Sequence, residues 1–211
     1  MFPAPLTLLA FGLIALGMVL TPGPNMIYII SRSITQGPRA GLISLGGVAL
    51  GFLVYMLCAA LGITALVMAV PYAYSALKFA GAGYLLWLAW QALKPGGQSP
   101  FVVKDLPVDR PRKLFAMGLL TSLLNPKVAV LYLSLLPQFI DPHRGHILGQ
   151  SLSLGAEQIG ISLSVNAMIA MAAGSIAAFL AARPTWARAQ RWLMGCVLGG
   201  LAVRMAVDRA R

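Results

Sequence analysis

No charged side chain occurs between Met1 and Ser31, and none between Ala40 and Leu77. Each run exceeds the roughly 20 residues that cross a bilayer core as a helix. Only 10% of the chain is charged and 59% is hydrophobic, whereas a soluble domain carries about 25% charged residues. A single soluble core cannot hide that much apolar surface, so these segments are built for lipid. Lipid offers no partner for open backbone groups, and the runs lack the short alternating segments of a membrane barrel. The sequence predicts an all-α integral membrane protein.

Hydropathy places six transmembrane helices near 6–30, 41–69, 72–93, 114–139, 147–181 and 190–207. The longest connection, "KPGGQSPFVVKDLPVDRPRK" (94–113), is rich in Pro, Gly and charge. It divides a single transmembrane domain, 1–211, into three-span repeats at 1–98 and 110–211, with the loop proper at 99–109. The second span carries Gly41, Gly46, Gly47 and Gly51. Gly47 and Gly51 have the spacing that lets another helix approach closely, and an ordinary small-residue packing face explains them equally well. The fifth apolar region, His146 to Ala182, is too long for one straight crossing and too short for two. It is either a tilted helix or a short re-entrant piece followed by a span.

The net charge of +11 does not point to nucleic acid, because no basic stripe with interleaved aromatics is present. Basic residues of a membrane protein collect in cytoplasmic loops. The loops after spans one, three and five hold Arg32 and Arg39, then Lys94, Lys104, Arg110, Arg112 and Lys113, then Arg183, Arg188 and Arg191. The opposite side holds Lys78, Arg144, Arg204, Arg209 and Arg211. The larger set is expected in the cytoplasm. Cys58 and Cys196 lie in apolar runs and read as small core residues. "MFPAPL" lacks the basic start of a signal peptide, so the first span is expected to be retained.

Two apolar runs contain helix breakers. "TPGPNMI" (21–27) interrupts the first span and "TSLLNPKVAV" (121–130) the fourth, with Asn25 and Asn125 one hundred residues apart. Three spans per half would insert the second half upside down. Interrupted segments at corresponding positions of two halves are the signature of an inverted-repeat transporter. Thr21 or Gly23 can cap a helix restarting at Pro22 or Pro24, and Asn125 one restarting at Pro126. Each break then presents free N–H groups and a partial positive charge, which favour a carboxylate.

Lys127 sits near the middle of the fourth span. A cation at mid-bilayer costs roughly 2.5–3.5 kcal/mol or more unless it has a partner or an aqueous cavity. It either meets substrate or pairs with a carbonyl as a structural lysine. Glu157 is the one acid in an apolar region; it could pair with Lys127, carry a proton, or contact a substrate ammonium. Asn166 suits helix–helix hydrogen bonding or pore lining.

These stretches resemble the LysE/RhtB-type exporters, a bacterial amino-acid efflux family. "TPGPNMIYIISRSITQGPRAGLISLGGVALG" is similar to that family's first-span signature and the glycine-rich stretch after it. "LKFAGAGYLLWLAW" resembles its third span, "GLLTSLLNPKVAVLYLSLLPQF" its fourth, and "ARPTWARAQRWLMGCVLGGLAVRMAV" its ending. The resemblance implies a cytoplasmic-membrane exporter of amino acids or related solutes, driven by the proton-motive force, with two inverted three-span halves. It marks Pro22, Gly23, Pro24, Asn25, Asn125, Pro126 and Lys127 as motif residues, extended by Gln36 and Gly37.

A secondary exporter is thus the leading expectation, with amino acid, protons and the lipid bilayer as partners and no cofactor. A passive channel or membrane scaffold is the alternative, and the glycine faces could also serve a homodimer. An intramembrane enzyme is disfavoured, since the only histidines, His143 and His146, lie in the loop "DPHRGH" away from any serine at membrane depth.

Overall fold

The structure, a computed structural model, describes residues 3–61 and 108–182 continuously, together with scattered positions within 79–94 and 185–207. All regular structure among the described residues is helical. Helices α1 (Pro5–Leu20), α2 (Pro24–Gln36) and α3 (Pro38–Ala60) form the first part. Then come α4 (Pro111–Leu123), α5 (Pro126–Val130) and the long α6 (Ile147–Ala182). Each of α1 to α5 starts on a proline, whose missing N–H costs nothing in the first turn and whose φ is already helical. Between α2 and α3 the chain turns at Gly37 with φ +85°, a conformation that a side chain would strain.

The helices α3 and α6 are long and apolar enough to cross a membrane. The pair α1–α2, and α4 together with the helical stretch Pro126–Phe139 that α5 opens, meet the same test when each is taken as one bent span, with bends of 51° and 48°. Four of the expected crossings are therefore present among the described residues. Spans 72–93 and 190–207, and residues 62–69 of span 41–69, lie outside the continuously described residues.

Two expectations are corrected. The fifth apolar region contains no re-entrant piece: α6 runs unbroken for 36 residues, about 54 Å at 1.5 Å per residue, against a bilayer core of about 30 Å. The fourth span does not stay α-helical to residue 139. After α5 it passes through a π turn (Leu131–Leu135) and a 3-10 turn (Leu136–Phe139), because Pro137 can supply no N–H to an α-helical ladder.

Glycine sets the closest helix crossing. A Cβ on Gly47 would collide with the Phe115 carbonyl, and one on Gly118 with the Ser44 carbonyl. On Gly51 it would stand 2.5 Å from the Ser122 Cβ. The backbones of α3 and α4 are thus in direct contact, as small residues permit. This face of α3 is used within the chain, so it is not open to a second copy.

At one end of the bundle α2 is tied to the start of α4. Arg32 Nη1 stands 2.8 Å from Asp109 Oδ2, and Lys113 Nζ 2.6 Å from Asp109 Oδ1. The Tyr28 hydroxyl donates to the Leu114 carbonyl at 3.1 Å, and Arg32 lies over the Tyr28 ring. The basic loops after the first and third expected spans therefore meet at one face of the bundle.

Gly118→Leu must push α4 off α3, and overpacking of this kind costs about 3 kcal/mol. A lowered melting temperature of the detergent-solubilised protein would show it. The hydrogen bond from Lys113, and then the charge of Arg32, hold the Asp109 carboxyl below its ordinary pKa. A depressed carboxylate stabilises the fold above the unfolded value, about pH 3.9, and that stability is lost as pH falls through the folded value. The melting difference between wild type and Asp109→Asn should accordingly be constant from pH 7 to 5 and shrink below pH 4 (about the unfolded pKa).

Candidate functional site

The two breaks lie side by side in space and each satisfies the other. At the first, α1 ends at Leu20, the Thr21 N–H donates to Met18 O at 3.3 Å, and the Thr21 hydroxyl donates to Gly17 O at 2.8 Å. That spends the Thr21 side chain on α1, so it does not cap α2. The carbonyl of Thr21 is left pointing onward and receives the Lys127 ammonium, with Nζ at 2.5 Å. Gly23 makes room for this lysine: a Cβ there would stand 3.2 Å from Lys127 Cδ and 3.3 Å from its Nζ.

At the second break, Asn125 is the expected N-cap. Its Oδ1 accepts from the Lys127 N–H at 3.0 Å, and its carbonyl accepts from Val128 and Ala129. The Leu123 carbonyl, freed where α4 stops, accepts from the Tyr55 hydroxyl at 2.8 Å. Asn25 reaches across from the first break to the Ser122 hydroxyl at 3.5 Å. Buried backbone groups in lipid must find such partners, and here they come from the opposite half of the described chain.

The two helix starts are not equivalent. The end of α5 is occupied by its own Asn125. The cap residue of α2 is Gly23, which offers no side chain. The first intrahelical bond of α2 runs from Ile27 N to Gly23 O, so the N–H groups of Asn25 and Met26 have no acceptor in the helix.

A cavity opens between the breaks. Gly23, Asn25, Asn125, Lys127, Gln158, Ser162 and Asn166 line it, with Met18, Val19, Met26, Phe52 and Leu131 among its apolar walls. Its volume is about 40 Å³, room for a water molecule but less than an amino acid needs, so a larger solute must widen it. Of the residues expected at a site, Gly23, Asn25, Asn125, Lys127 and Asn166 come together here. Thr21, Pro22, Pro24 and Pro126 build the breaks without lining the cavity.

Glu157 stands apart. It lies in a second groove, between α1 and α6, with Leu9, Gly12, Leu13, Leu16 and Ile161. Gly12 leaves the space it occupies, since a Cβ there would stand 2.5 Å from Glu157 Oε1. Its Oε2 is buried without a hydrogen-bond partner among the described residues. Glu157 therefore does not pair with Lys127, although the adjoining residue, Gln158, lines the cavity.

The face of α6 that does reach the cavity carries Gln158, Ser162 and Asn166. The Tyr132 hydroxyl donates to Gln158 Oε1 at 2.6 Å, Gln158 Nε2 donates to the Ser162 hydroxyl at 2.7 Å, and Asn166 Nδ2 donates to the Ser162 carbonyl at 2.8 Å. Tyr132 is fully buried and stacks on Tyr55. Sequence reasoning found Asn166 and missed Gln158 and Ser162. Their spacing of four, one turn apart on one helical face, was the available signal. The histidine loop plays no part: Gln150 bonds to both N–H and carbonyl of Asp141 and to the Gly145 carbonyl, which closes that turn.

Apolar helices broken around a buried polar cavity define an α-helical membrane protein with an internal polar cavity. The family comparison names the class: the chain belongs to the LysE type translocator family, whose model matches residues 16–209. It is a multi-pass transporter of the inner membrane, not an enzyme. The chain is 27% identical over 198 residues to the leucine efflux protein of Salmonella typhimurium, covering 91% of each. It is 28% identical over 203 residues to the leucine efflux protein of Klebsiella pneumoniae, again covering 91% of each. An uncharacterized membrane protein of Pseudomonas aeruginosa is 35% identical over 132 residues, 59% of this chain and 60% of that one. No solved structure matches the chain.

Asn125→Ala removes the cap of α5 and leaves the Lys127 N–H open. It should cost about 1 kcal/mol, read as a lower melting temperature in detergent, whereas Thr35→Ala, whose hydroxyl only bonds back to Ser31 O, should change it little.

Proposed function

We propose that this chain exports amino acids from the cytoplasm, driven by protons moving inward. The observation that carries the reading is the Lys127 ammonium, held at 2.5 Å on the Thr21 carbonyl beside the uncapped start of α2. A substrate carboxylate can take the place of that carbonyl and meet both the ammonium and the free N–H groups of Asn25 and Met26. The names of the leucine efflux relatives agree with an amino-acid cargo.

Coupling is assigned to Glu157. Its carboxyl is embedded among apolar residues with one oxygen unpartnered, as befits a group that exchanges a proton at membrane depth. Substrate and proton would then occupy neighbouring faces of α6. One charge crossing about 100 mV supplies roughly 2.3 kcal/mol, enough for nearly a fifty-fold solute gradient. The bends at two corresponding positions support a six-span fold of two inverted repeats, 1–98 and 110–211, joined by the 99–109 loop. The loops after spans one, three and five are placed in the cytoplasm. A homodimer would have to use a face other than Gly47–Gly51.

Reconstituted vesicles loaded with labelled leucine test this. Outflow should accelerate when the outside is made acidic, and Lys127→Ala should reduce it at least about tenfold, the loss of one charged hydrogen bond, with folded protein retained. In Glu157→Gln, exchange of leucine for leucine should persist while acceleration by the pH gradient disappears. Leucine flux in the wild type that ignores the gradient would instead make the protein a passive channel.

A further inference from the structure

Among the polar side chains of the cavity, most are spoken for. The Asn125 oxygen caps α5, Gln158 is held between Tyr132 and Ser162, and the Asn166 amide nitrogen is bonded to the Ser162 carbonyl. Two acceptors remain: Asn25 Oδ1 and Asn166 Oδ1 are buried and have no hydrogen-bond partner among the described residues. Both residues line the cavity, and they are 6% and 3% exposed. The orientation of the Asn166 amide is fixed, because the Ser162 carbonyl can only accept.

A buried acceptor left unpaired is costly, and a protein that tolerates two of them at one cavity gains when a donor arrives. The donor must be compact and rich in hydrogens. An ammonium group carries three. Among the described residues no acid lines the cavity; Glu157 faces the other groove.

We infer that Asn25 and Asn166 receive the α-ammonium group of the substrate, so that the site selects a zwitterion with an uncharged, apolar side chain. This deepens the exporter reading and rests on it for the placement of the carboxylate at Lys127. The charge logic follows from what lines the cavity. A zwitterion brings one positive and one negative group, and Lys127 already supplies a cation for the latter. Two neutral amide oxygens suffice for the ammonium without adding a charge that would have to be buried when the site is empty. A lysine or arginine side chain would bring a second cation next to Lys127 with no acid to meet it, which a site of low dielectric rejects. The remaining walls, Met18, Val19, Met26, Phe52 and Leu131, are apolar and polarisable, suited to a branched or unbranched hydrocarbon side chain.

The test is ligand-induced thermal stabilisation of the purified full-length protein, with leucine, its des-amino analogue 4-methylpentanoate, and lysine as probes. Leucine should stabilise the wild type at concentrations at least about tenfold below those needed for 4-methylpentanoate or lysine, as expected when one set of ammonium hydrogen bonds is lost. In Asn166→Leu, leucine should lose its advantage over 4-methylpentanoate while the response to 4-methylpentanoate itself stays unchanged. Asn25→Ala provides the same comparison should Asn166→Leu fail to fold. Equal stabilisation of the wild type by leucine and 4-methylpentanoate, or by leucine and lysine, would overturn the inference, as would no response to leucine. So would a variant that weakens leucine and 4-methylpentanoate alike. Binding that follows the expected order in a protein that moves no leucine across vesicles would leave this assignment standing and remove the exporter reading.

Discussion

The bond from Lys127 to the Thr21 carbonyl joins two elements that neither half could keep alone. A cation and an open backbone carbonyl are each unfavourable in the apolar interior of a membrane protein. Placed together each gives the other a hydrogen-bond partner, and they meet where α1 ends and α5 begins. The rest of the local architecture follows. Asn125 caps α5 so that Lys127 leaves the helix in the right direction, Gly23 stays bare so that the lysine can lie against it, and Tyr55 takes up the Leu123 carbonyl released at the second break.

The lysine is met by a neutral carbonyl and, among the described residues, by no acid, so its side chain is not consumed in a salt bridge. The placement of Glu157 bears on this. One residue further along α6 it would have faced the cavity of Lys127, but the helix rotates it into the groove over Gly12 while Gln158 takes the inward position. A salt bridge between the two would have sealed the cavity and consumed the groups that the proposed transport cycle uses separately. With Glu157 turned away from the cavity face of α6, the two groups stay apart, as the proposed cycle requires.

Much of this was legible in the sequence. The charge-free runs identified the helices, and Pro22, Pro24 and Pro126 located the breaks. Asn125 was recognisable as a cap because an Asx residue before a helix-starting proline has few other uses. What stayed hidden depends on geometry between distant segments. Thr21 has the chemistry of a cap yet bonds back to Gly17, a choice decided by the direction in which α1 ends. Which way Glu157 points depends on the rotation of α6, and the spacing of Gln158, Ser162 and Asn166 gives that rotation only once their face is known to meet the cavity. Gly47 and Gly51 were recognisable as a close-approach face, but only the fold shows that α4 fills it. Arg32 and Asp109 are 77 residues apart in the chain, and nothing local marks them as partners.

The same contacts divide the bundle into parts that can and cannot move. The helices α3 and α4 touch backbone to backbone through Gly47 and Gly118, and separating them would forfeit that packing without offering water or lipid anything to replace it. The helix α2 is held differently, by the Arg32–Asp109–Lys113 cluster at one end and by the break at the other. A cavity of about 40 Å³ has to widen for any amino acid to enter, and the break is the place where the backbone has no continuous helical ladder to resist. In the proposed cycle the substrate carboxylate replaces the Thr21 carbonyl as the acceptor of Lys127. Binding then does two things with one exchange of hydrogen bonds: it captures the anion and it unties α1 from α5, so that the widening required for entry is coupled to the chemistry that recognises the substrate.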